Sequence, residues 1–138
     1  MSHLLEGYDG LCSQIHGHSY RLFVTVIGSP IEDPASPKLG MVMDFGALKK
    51  IVNRLIIDRL DHALTIRETP AMGGLIAELK KKFERIITVD YQPTCENMIA
   101  RFADMIAPEL PHGVKLHSLR LHETATSFAE WFAADNPE

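Results

Sequence analysis

Three histidines and a cysteine lie within the first 18 residues, and all can bind metal or transfer protons: His3, Cys12, His16 and His18. If residues 16–18 are extended, the imidazoles of His16 and His18 project to the same face, because side chains alternate along a strand. Imidazole nitrogen is a common zinc ligand, and three protein ligands that leave a fourth position free are typical of catalytic zinc sites. We therefore expect His3 to be the third ligand of a zinc site.

Simpler interpretations of these residues remain open. A His-X-His pair is common on protein surfaces and is not specific by itself. Cys12 could complete a structural Cys-His site instead, or be a small buried apolar residue, as free cysteines usually are. The chain has only two cysteines, Cys12 and Cys95, which are too few for a disulfide framework. We expect both to be free thiols in a reducing compartment.

Two further places in the sequence carry groups suited to proton transfer or ligand binding. Asp61 precedes His62, and a carboxylate beside a histidine can orient the ring and hold a proton on it. Glu123 is predicted at a strand end, where it could accept paired hydrogen bonds from adjacent N–H groups of a ligand. The simpler interpretations are a polar helix end for Asp61-His62 and an exposed turn for Glu123. The remaining histidines are interpreted as surface or strand residues: His112, His117 and His122.

Hydrophobic periodicity predicts one long strand and two long helices that position these groups. Residues 20–27 alternate and are rich in aromatic and β-branched side chains, which predicts a strand. Asp44 is predicted to cap a helix that extends to about Leu60. Thr94 is predicted to cap a second helix, which ends near Pro108.

The rest of the chain predicts shorter elements. Residues 72–89 are predicted to form a weaker amphipathic helix followed by a short strand. Residues 114–121 and 127–132 are predicted to be two strands, with a possible bulge near Ser118, where the apolar phase slips. The order of elements favours an α+β fold with an antiparallel sheet. The length predicts a single domain over residues 1–138.

Composition narrows the classes of function. The chain is 46% hydrophobic and 23% charged, which is typical of a soluble globular protein, and it has no apolar run long enough to span a bilayer. A formal net charge of -4 argues against a nucleic-acid surface. The first residues lack the basic start and long apolar stretch of a secretory signal. We expect a cytoplasmic protein without a nucleic-acid or membrane partner.

Six segments, taken in order, resemble the signatures of the 6-pyruvoyltetrahydropterin synthase superfamily. The most specific features are the Cys-X-X-X-His-Gly-His unit, Leu-Asp-His and a late Glu-Thr. The resemblance extends nearly end to end, through residues 2–5, 12–20, 43–45, 60–62, 93–97 and 121–124.

The resemblance implies the tunnelling fold, an antiparallel sheet with two long helices packed on one face. In this fold, trimers build a continuous barrel, two trimers stack into a hexamer, and active sites lie between subunits. Only Met1 and Ser2 precede His3, so the first strand is expected to be truncated. Residues 66–90 are longer than in the most compact bacterial relatives, and the extra helix in this segment is expected to decorate the outside without a catalytic role.

The resemblance also implies a role for each motif residue. Zinc would be bound by three histidines: His3, His16 and His18. Catalysis would use the Cys12 thiol and a dyad of Asp61 and His62. The pterin would be anchored by the Glu123 carboxylate and by backbone groups of Thr94 and Cys95.

The implied substrate is 7,8-dihydroneopterin triphosphate. Cys12 is separated from His16 by three residues, which resembles the bacterial branch that forms 6-carboxytetrahydropterin, triphosphate and acetaldehyde for the queuosine and deazapurine pathway. Two alternatives remain open. One is the sister lyase, which forms 6-pyruvoyltetrahydropterin, and the other is a non-catalytic zinc-binding assembly protein.

Overall fold

The computed structural model describes residues 1–137, which form a mixed α+β fold with two sheets. The strands are β1 (Ser2–His3), β2 (His16–Gly17), β3 (Arg21–Gly28), β4 (Leu64–Arg67), β5 (Ile86–Val89), β6 (Val114–His122) and β7 (Phe128–Phe132). The helices are α1 (Phe45–Val52), α2 (Asp58–Leu60), α3 (Gly73–Lys82) and α4 (Cys95–Ile106). A π-helical segment, Asn53–Ile57, joins α1 to α2.

The first sheet is antiparallel and three-stranded, in the order β3-β6-β7. Its register shifts between Thr25 and Val26, because Thr25 pairs with Ser118 whereas Val26 pairs with Leu116. His117 is therefore the extra residue of a bulge in β6. The sequence-based predictions of strand 20–27, of the two late strands and of a bulge near Ser118 are confirmed.

Two long helical segments pack against this sheet, as predicted. The side chain of Asp44 accepts a hydrogen bond from the backbone N–H of Ala47 at 2.9 Å and caps α1. Thr94 caps α4 in the same way, with its hydroxyl 3.3 Å from the backbone nitrogen of Asn97. The main core joins buried residues of the π-helical segment, α4 and β6: Ile56, Cys95, Met98, Ile99, Phe102, Ala103, Ile106, Leu116, Leu119 and Leu121. No helix within residues 1–137 has the length and apolar character needed to cross a membrane.

The second sheet differs from the antiparallel arrangement that was expected. Its order is β2-β1-β4-β5, and β4 runs parallel to both β1 and β5, so the sheet is mixed and not antiparallel. Residues 66–90 contain more than the predicted helix and strand, because β4 is an integral strand and pairs directly with the strand of His3. Helix α3 itself has a single buried residue, Ile76. The strand Leu64–Arg67 was not predicted, although helix α3 and strand β5 were.

Gly17 allows β1 and β2 to approach closely. A Cβ atom at Gly17 would lie 2.9 Å from Ser2 Oγ and 3.3 Å from the carbonyl oxygen of Met1. Both distances are shorter than comfortable van der Waals contact, so a larger residue would push the two strands apart. The glycine of the His-Gly-His unit therefore keeps His16 in register with His3.

Candidate functional site

The three predicted metal ligands meet at one point. One ring nitrogen each from His3, His16 and His18 lies within 4.8 Å of the others. His3 is provided by β1 and His16 by β2, and these two residues are register partners in the antiparallel pair. His18 follows β2 by one residue. Short strands that are far apart in sequence thus bring together the three imidazoles, a group that could hold a metal ion.

Backbone carbonyls fix the orientation of two of these rings. The Nδ1 atom of His3 lies 2.7 Å from the carbonyl oxygen of Pro93, and that of His16 lies 2.8 Å from the carbonyl oxygen of Gln14. A carbonyl oxygen only accepts hydrogen bonds, so both Nδ1 atoms carry the proton and both Nε2 atoms present lone pairs. Such a contact to the second nitrogen is typical of histidines that ligate metals.

The Nε2 atom of His18 completes the donor set. It is buried and has no hydrogen-bond partner, since Glu123 Oε1, at 3.3 Å, lies outside hydrogen-bonding geometry. A buried polar atom without a partner is unfavourable unless a water or an ion satisfies it. A metal ion bound to three imidazoles would do so, and this donor set suits zinc.

Burial also favours the ligand form of His3. Its side chain is 1% exposed, and burial lowers the pKa of His3 below its ordinary value, with the neighbouring His16 acting in the same direction. The contact with the Pro93 carbonyl opposes this shift. The neutral imidazole, which is the form that binds a metal, is therefore favoured in the folded protein.

Glu123 lies beside the histidine cluster. Its Oε1 atom accepts a hydrogen bond from the Tyr20 hydroxyl at 3.1 Å and lies 3.4 Å from His3 Nε2. The side chain of Glu123 is 26% exposed, so it can still reach a ligand. The sequence-based prediction that Glu123 ends a strand is confirmed, since it follows β6 directly.

Tyr20 is a site residue that the sequence analysis missed. Its hydroxyl contacts Glu123, and its ring lies edge-on to His18 with the centroids 5.6 Å apart. Burial is the largest cause that raises the pKa of Tyr20, with Glu123 adding to it, so the hydroxyl remains a hydrogen-bond donor. The alternation that aligns His16 with His18 extends to Tyr20 and could have identified it.

Thr94 and Cys95 lie at the start of α4. The thiol of Cys95 donates a hydrogen bond to the carbonyl oxygen of Leu121 at 3.1 Å. Burial raises the pKa of Cys95 to about 11. The thiol of Cys95 therefore belongs to the core. Only the backbone of this residue is available to contact a ligand.

Cys12 lies in a short 3-10 helix, Leu11–Ser13, and is half-buried. The backbone N–H of Leu5 donates a hydrogen bond to its carbonyl oxygen at 2.9 Å. This bond ties the Cys12 turn to the segment that directly follows His3.

Asp61 and His62 form the predicted pair at the end of α2. Asp61 Oδ2 lies 3.1 Å from His62 Nδ1, and both side chains are exposed. His62 has a φ angle of 57°, in the left-handed region that is uncommon for residues other than glycine. Strained backbone of this kind is often found at functional sites.

A cavity of about 750 Å³ is lined by this pair and also by His18 and Tyr20. Its wall, within the described part of the chain, does not include Cys12. Within one chain the dyad therefore shares this cavity with His18 and Tyr20, while the wall that the described residues form leaves out His3, His16 and Glu123 as well as Cys12.

Comparison with known proteins gives a consistent family assignment. A family model described as 6-pyruvoyl tetrahydropterin synthase matches residues 1–134. A protein of Haemophilus influenzae named 6-carboxy-5,6,7,8-tetrahydropterin synthase is 41% identical over 134 residues, which cover 95% of this chain and 91% of that protein. A protein of Rickettsia felis with the same name is 30% identical over 131 residues, which cover 93% of this chain and 90% of that protein.

The fold is also similar to a solved structure. The crystal structure of an uncharacterised protein from Wolinella succinogenes matches with a TM-score of 0.77, covering 95% of this chain and 91% of that chain. The two sequences are 20% identical, so this similarity concerns the fold alone. Together with the site geometry, the match to the family model over nearly the whole length leads to one conclusion: the chain belongs to the 6-pyruvoyl tetrahydropterin synthase family.

Proposed function

We propose that this protein is a zinc-dependent lyase that acts on 7,8-dihydroneopterin triphosphate. With one water molecule, the substrate is converted to 6-carboxy-5,6,7,8-tetrahydropterin, acetaldehyde and triphosphate, which is a step toward queuosine and related deazapurines. The observation that carries the proposal is the convergence of three imidazoles beside the carboxylate of Glu123. Such an arrangement can hold a metal and a pterin side by side.

The names of the relatives support this product over the pyruvoyl product. The proteins of Haemophilus influenzae and Rickettsia felis are both named for 6-carboxytetrahydropterin formation. The separation of Cys12 from His16 by three residues supports the same branch. The two lyases share the remaining site residues. The relatives' names and the Cys12 spacing therefore bear only on what happens to the substrate side chain.

Zinc would be held by His3, His16 and His18, and when bound it would supply positive charge that acidifies a substrate hydroxyl and stabilises developing negative charge. The carbonyl oxygens of Pro93 and Gln14 keep two of these rings in the orientation that this requires. The donor set leaves room for substrate because it provides three ligands and not four.

Glu123 would hold the pterin ring. Its carboxylate can accept two hydrogen bonds from adjacent N–H groups of the pterin, and the Tyr20 hydroxyl fixes one of its oxygens. The backbone of Thr94 and Cys95 would contact the same ring. Fixing the ring in this way orients the side chain of the substrate toward the histidine cluster, which lowers the entropic part of the barrier.

Proton transfers would be shared between Cys12 and His62. The Cys12 thiolate would remove a proton from a carbon of the side chain, and His62, oriented by Asp61, would return a proton. As the family resemblance implies, we propose that the complete site forms between subunits, in a hexamer built from two trimers. The assembly would bring the thiol of one subunit to the dyad of another. We further propose that the enzyme is soluble and cytoplasmic.

Product analysis tests this proposal. Purified, zinc-loaded protein is incubated with 7,8-dihydroneopterin triphosphate, and the products are identified by mass spectrometry. We expect 6-carboxytetrahydropterin. Accumulation of 6-pyruvoyltetrahydropterin would support the sister activity, and the absence of any turnover with zinc fully bound would support a non-catalytic zinc protein.

A further inference from the structure

We infer that the segment of residues 64–92, which comprises β4, α3, β5 and the stretch that leads to Pro93, positions His3 for metal binding. This inference rests on the proposed metal centre. It assigns a role in that centre to residues that contact neither metal nor substrate.

The strand that carries His3 has little structure of its own. Strand β1 consists of Ser2 and His3 only, and it lies between β2 and β4. The backbone N–H of Ser2 donates to the carbonyl oxygen of Ala63 at 2.8 Å. In the parallel register with β4, His3 pairs with Thr65, which is 1% exposed. Without β4, the backbone of His3 would have a sheet partner on one side only.

Apolar packing fixes the residue that follows His3. Leu4 is 6% exposed and packs in a second core cluster with Ile66, Ile76 and Ile86. These three isoleucines come from β4, α3 and β5, so the whole segment surrounds Leu4. Ile66 is 0% exposed and lies at the centre of β4. A change in this cluster is transmitted to His3 through one peptide bond.

Polar contacts fasten the chain beyond Leu4 to the same segment. The Thr69 hydroxyl lies 3.0 Å from both carboxylate oxygens of Glu6, and the side-chain amide of Gln92 donates to the carbonyl oxygen of Glu6 at 2.9 Å. Gln92 directly precedes Pro93, whose carbonyl oxygen contacts His3 Nδ1. The segment therefore controls both the backbone of His3 and the orientation of its ring.

Changes in the cluster around Leu4 should affect metal affinity in particular. Metal affinity depends on how well the ligands are held in place before the metal binds, and groups that support ligands typically contribute 10–100-fold to affinity. A core residue elsewhere contributes to the stability of the fold without this coupling. Loosening the cluster around Leu4 should weaken metal binding more than an equal change in the main core.

The test compares two matched isoleucines in the full-length protein. Ile66 and Ile106 are both 0% exposed, but Ile66 belongs to the cluster around Leu4 and Ile106 belongs to the main core. Zinc affinity is measured by competition with a chromophoric chelator, at a temperature where circular dichroism shows both variants folded. We expect Ile66→Ala to weaken zinc binding by about tenfold or more, and Ile106→Ala to leave it within about twofold of wild type.

A second pair of variants covers the case in which the alanine variants do not fold. Ile66→Val and Ile106→Val remove one methyl group each. We expect Ile66→Val to bind zinc more weakly than Ile106→Val, with a smaller difference than between the two alanine variants. Equal zinc affinities within the folded pair would overturn the inference. If wild type binds zinc and forms product while the Ile66 variants bind zinc normally, only this inference fails. If wild type binds no zinc, the proposed metal centre fails with it.

Discussion

The Nε2 atoms of His3 and His16 lie 3.1 Å apart, although the Nδ1 atom of each ring contacts a backbone carbonyl oxygen. With the protons held on Nδ1, the two Nε2 lone pairs face each other. Two acceptors at this distance repel unless a cation lies between them. The folded protein therefore holds the two rings in an arrangement that is favourable only when a metal ion or a proton lies between them.

The first prediction concerns metal content. His16→Ala and His18→Ala should each remove most of the zinc, because two imidazoles bind the ion far more weakly than three. Elemental analysis of purified protein checks this, with about one zinc per chain expected for wild type. His117→Ala is a suitable control, because His117 is an exposed residue of β6. Full zinc retention in both site variants would contradict the proposed ligand set.

The second prediction concerns the carboxylate beside the proposed metal ligands. Glu123→Gln replaces one acceptor oxygen with a donor and should weaken pterin binding by about 1–3 kcal/mol, because an N–H group of the ligand loses its partner. Zinc content should not change. Calorimetry with a non-reactive pterin measures the effect. Glu130→Gln is the matched control, since Glu130 pairs with Arg120 in the middle of the ladder of the same hairpin. Equal pterin affinity in the two variants would argue against the role of Glu123.

Tyr20 should influence the same step indirectly. Tyr20→Phe removes the hydroxyl that donates to Glu123 but keeps the ring, so the carboxylate loses one fixed contact. We expect a loss of about 0.5–1.5 kcal/mol in pterin affinity, smaller than that of Glu123→Gln, with zinc content unchanged. Tyr91→Phe provides the comparison, because the Tyr91 ring packs against Arg101. An effect of Tyr20→Phe on zinc alone would assign the hydroxyl to the metal centre instead.

The two cysteines should differ in reactivity. Burial raises the pKa of Cys95 from its ordinary value of 9.0 to about 11, and its thiol is bonded to Leu121, whereas Cys12 is partly exposed. At pH 8, iodoacetamide should alkylate Cys12 and leave Cys95 unmodified, which mass spectrometry of peptides can establish. Rapid labelling of Cys95 in folded protein would show that the start of α4 is not packed as described.

The raised pKa of Cys95 also has a consequence for stability. A thiol that is harder to ionise in the folded protein than in the unfolded chain stabilises the fold fully below pH 9.0. This contribution is lost as the pH rises toward about 11. Cys95→Ala should therefore reduce the steepness with which the free energy of unfolding falls over this range, as measured by urea denaturation at several pH values.

Sequence reasoning succeeded where a periodic pattern or a capping residue was present. Strand β3 alternates over eight residues, and α4 has both a Thr94 cap and an apolar face. The spacing of His16 and His18 predicted a shared face, and the structure brings both next to His3. The assignments of Cys12, Asp61 and His62 to catalysis stay predictions, because their chemistry depends on substrate and on assembly.

The features that were not predicted depend on contacts that produce no local pattern in the sequence. Strands β1 and β2 have two residues each, which is too short for any periodicity, and β4 was identified only through its parallel pairing with β1 and β5. The contact between His3 and Pro93 joins residues 90 positions apart through a backbone carbonyl, a group that every residue has. No residue type marks such a partner in a sequence.

The proposed function requires that the site cleaves the side chain of its substrate after triphosphate is expelled. The most direct measurement is the ratio of acetaldehyde to triphosphate released by wild-type protein from 7,8-dihydroneopterin triphosphate, with zinc-loaded Cys12→Ala as the inactive control. Equal amounts of the two products are expected, because each turnover would break one carbon–carbon bond and release one triphosphate. Release of triphosphate without acetaldehyde would contradict the proposed function.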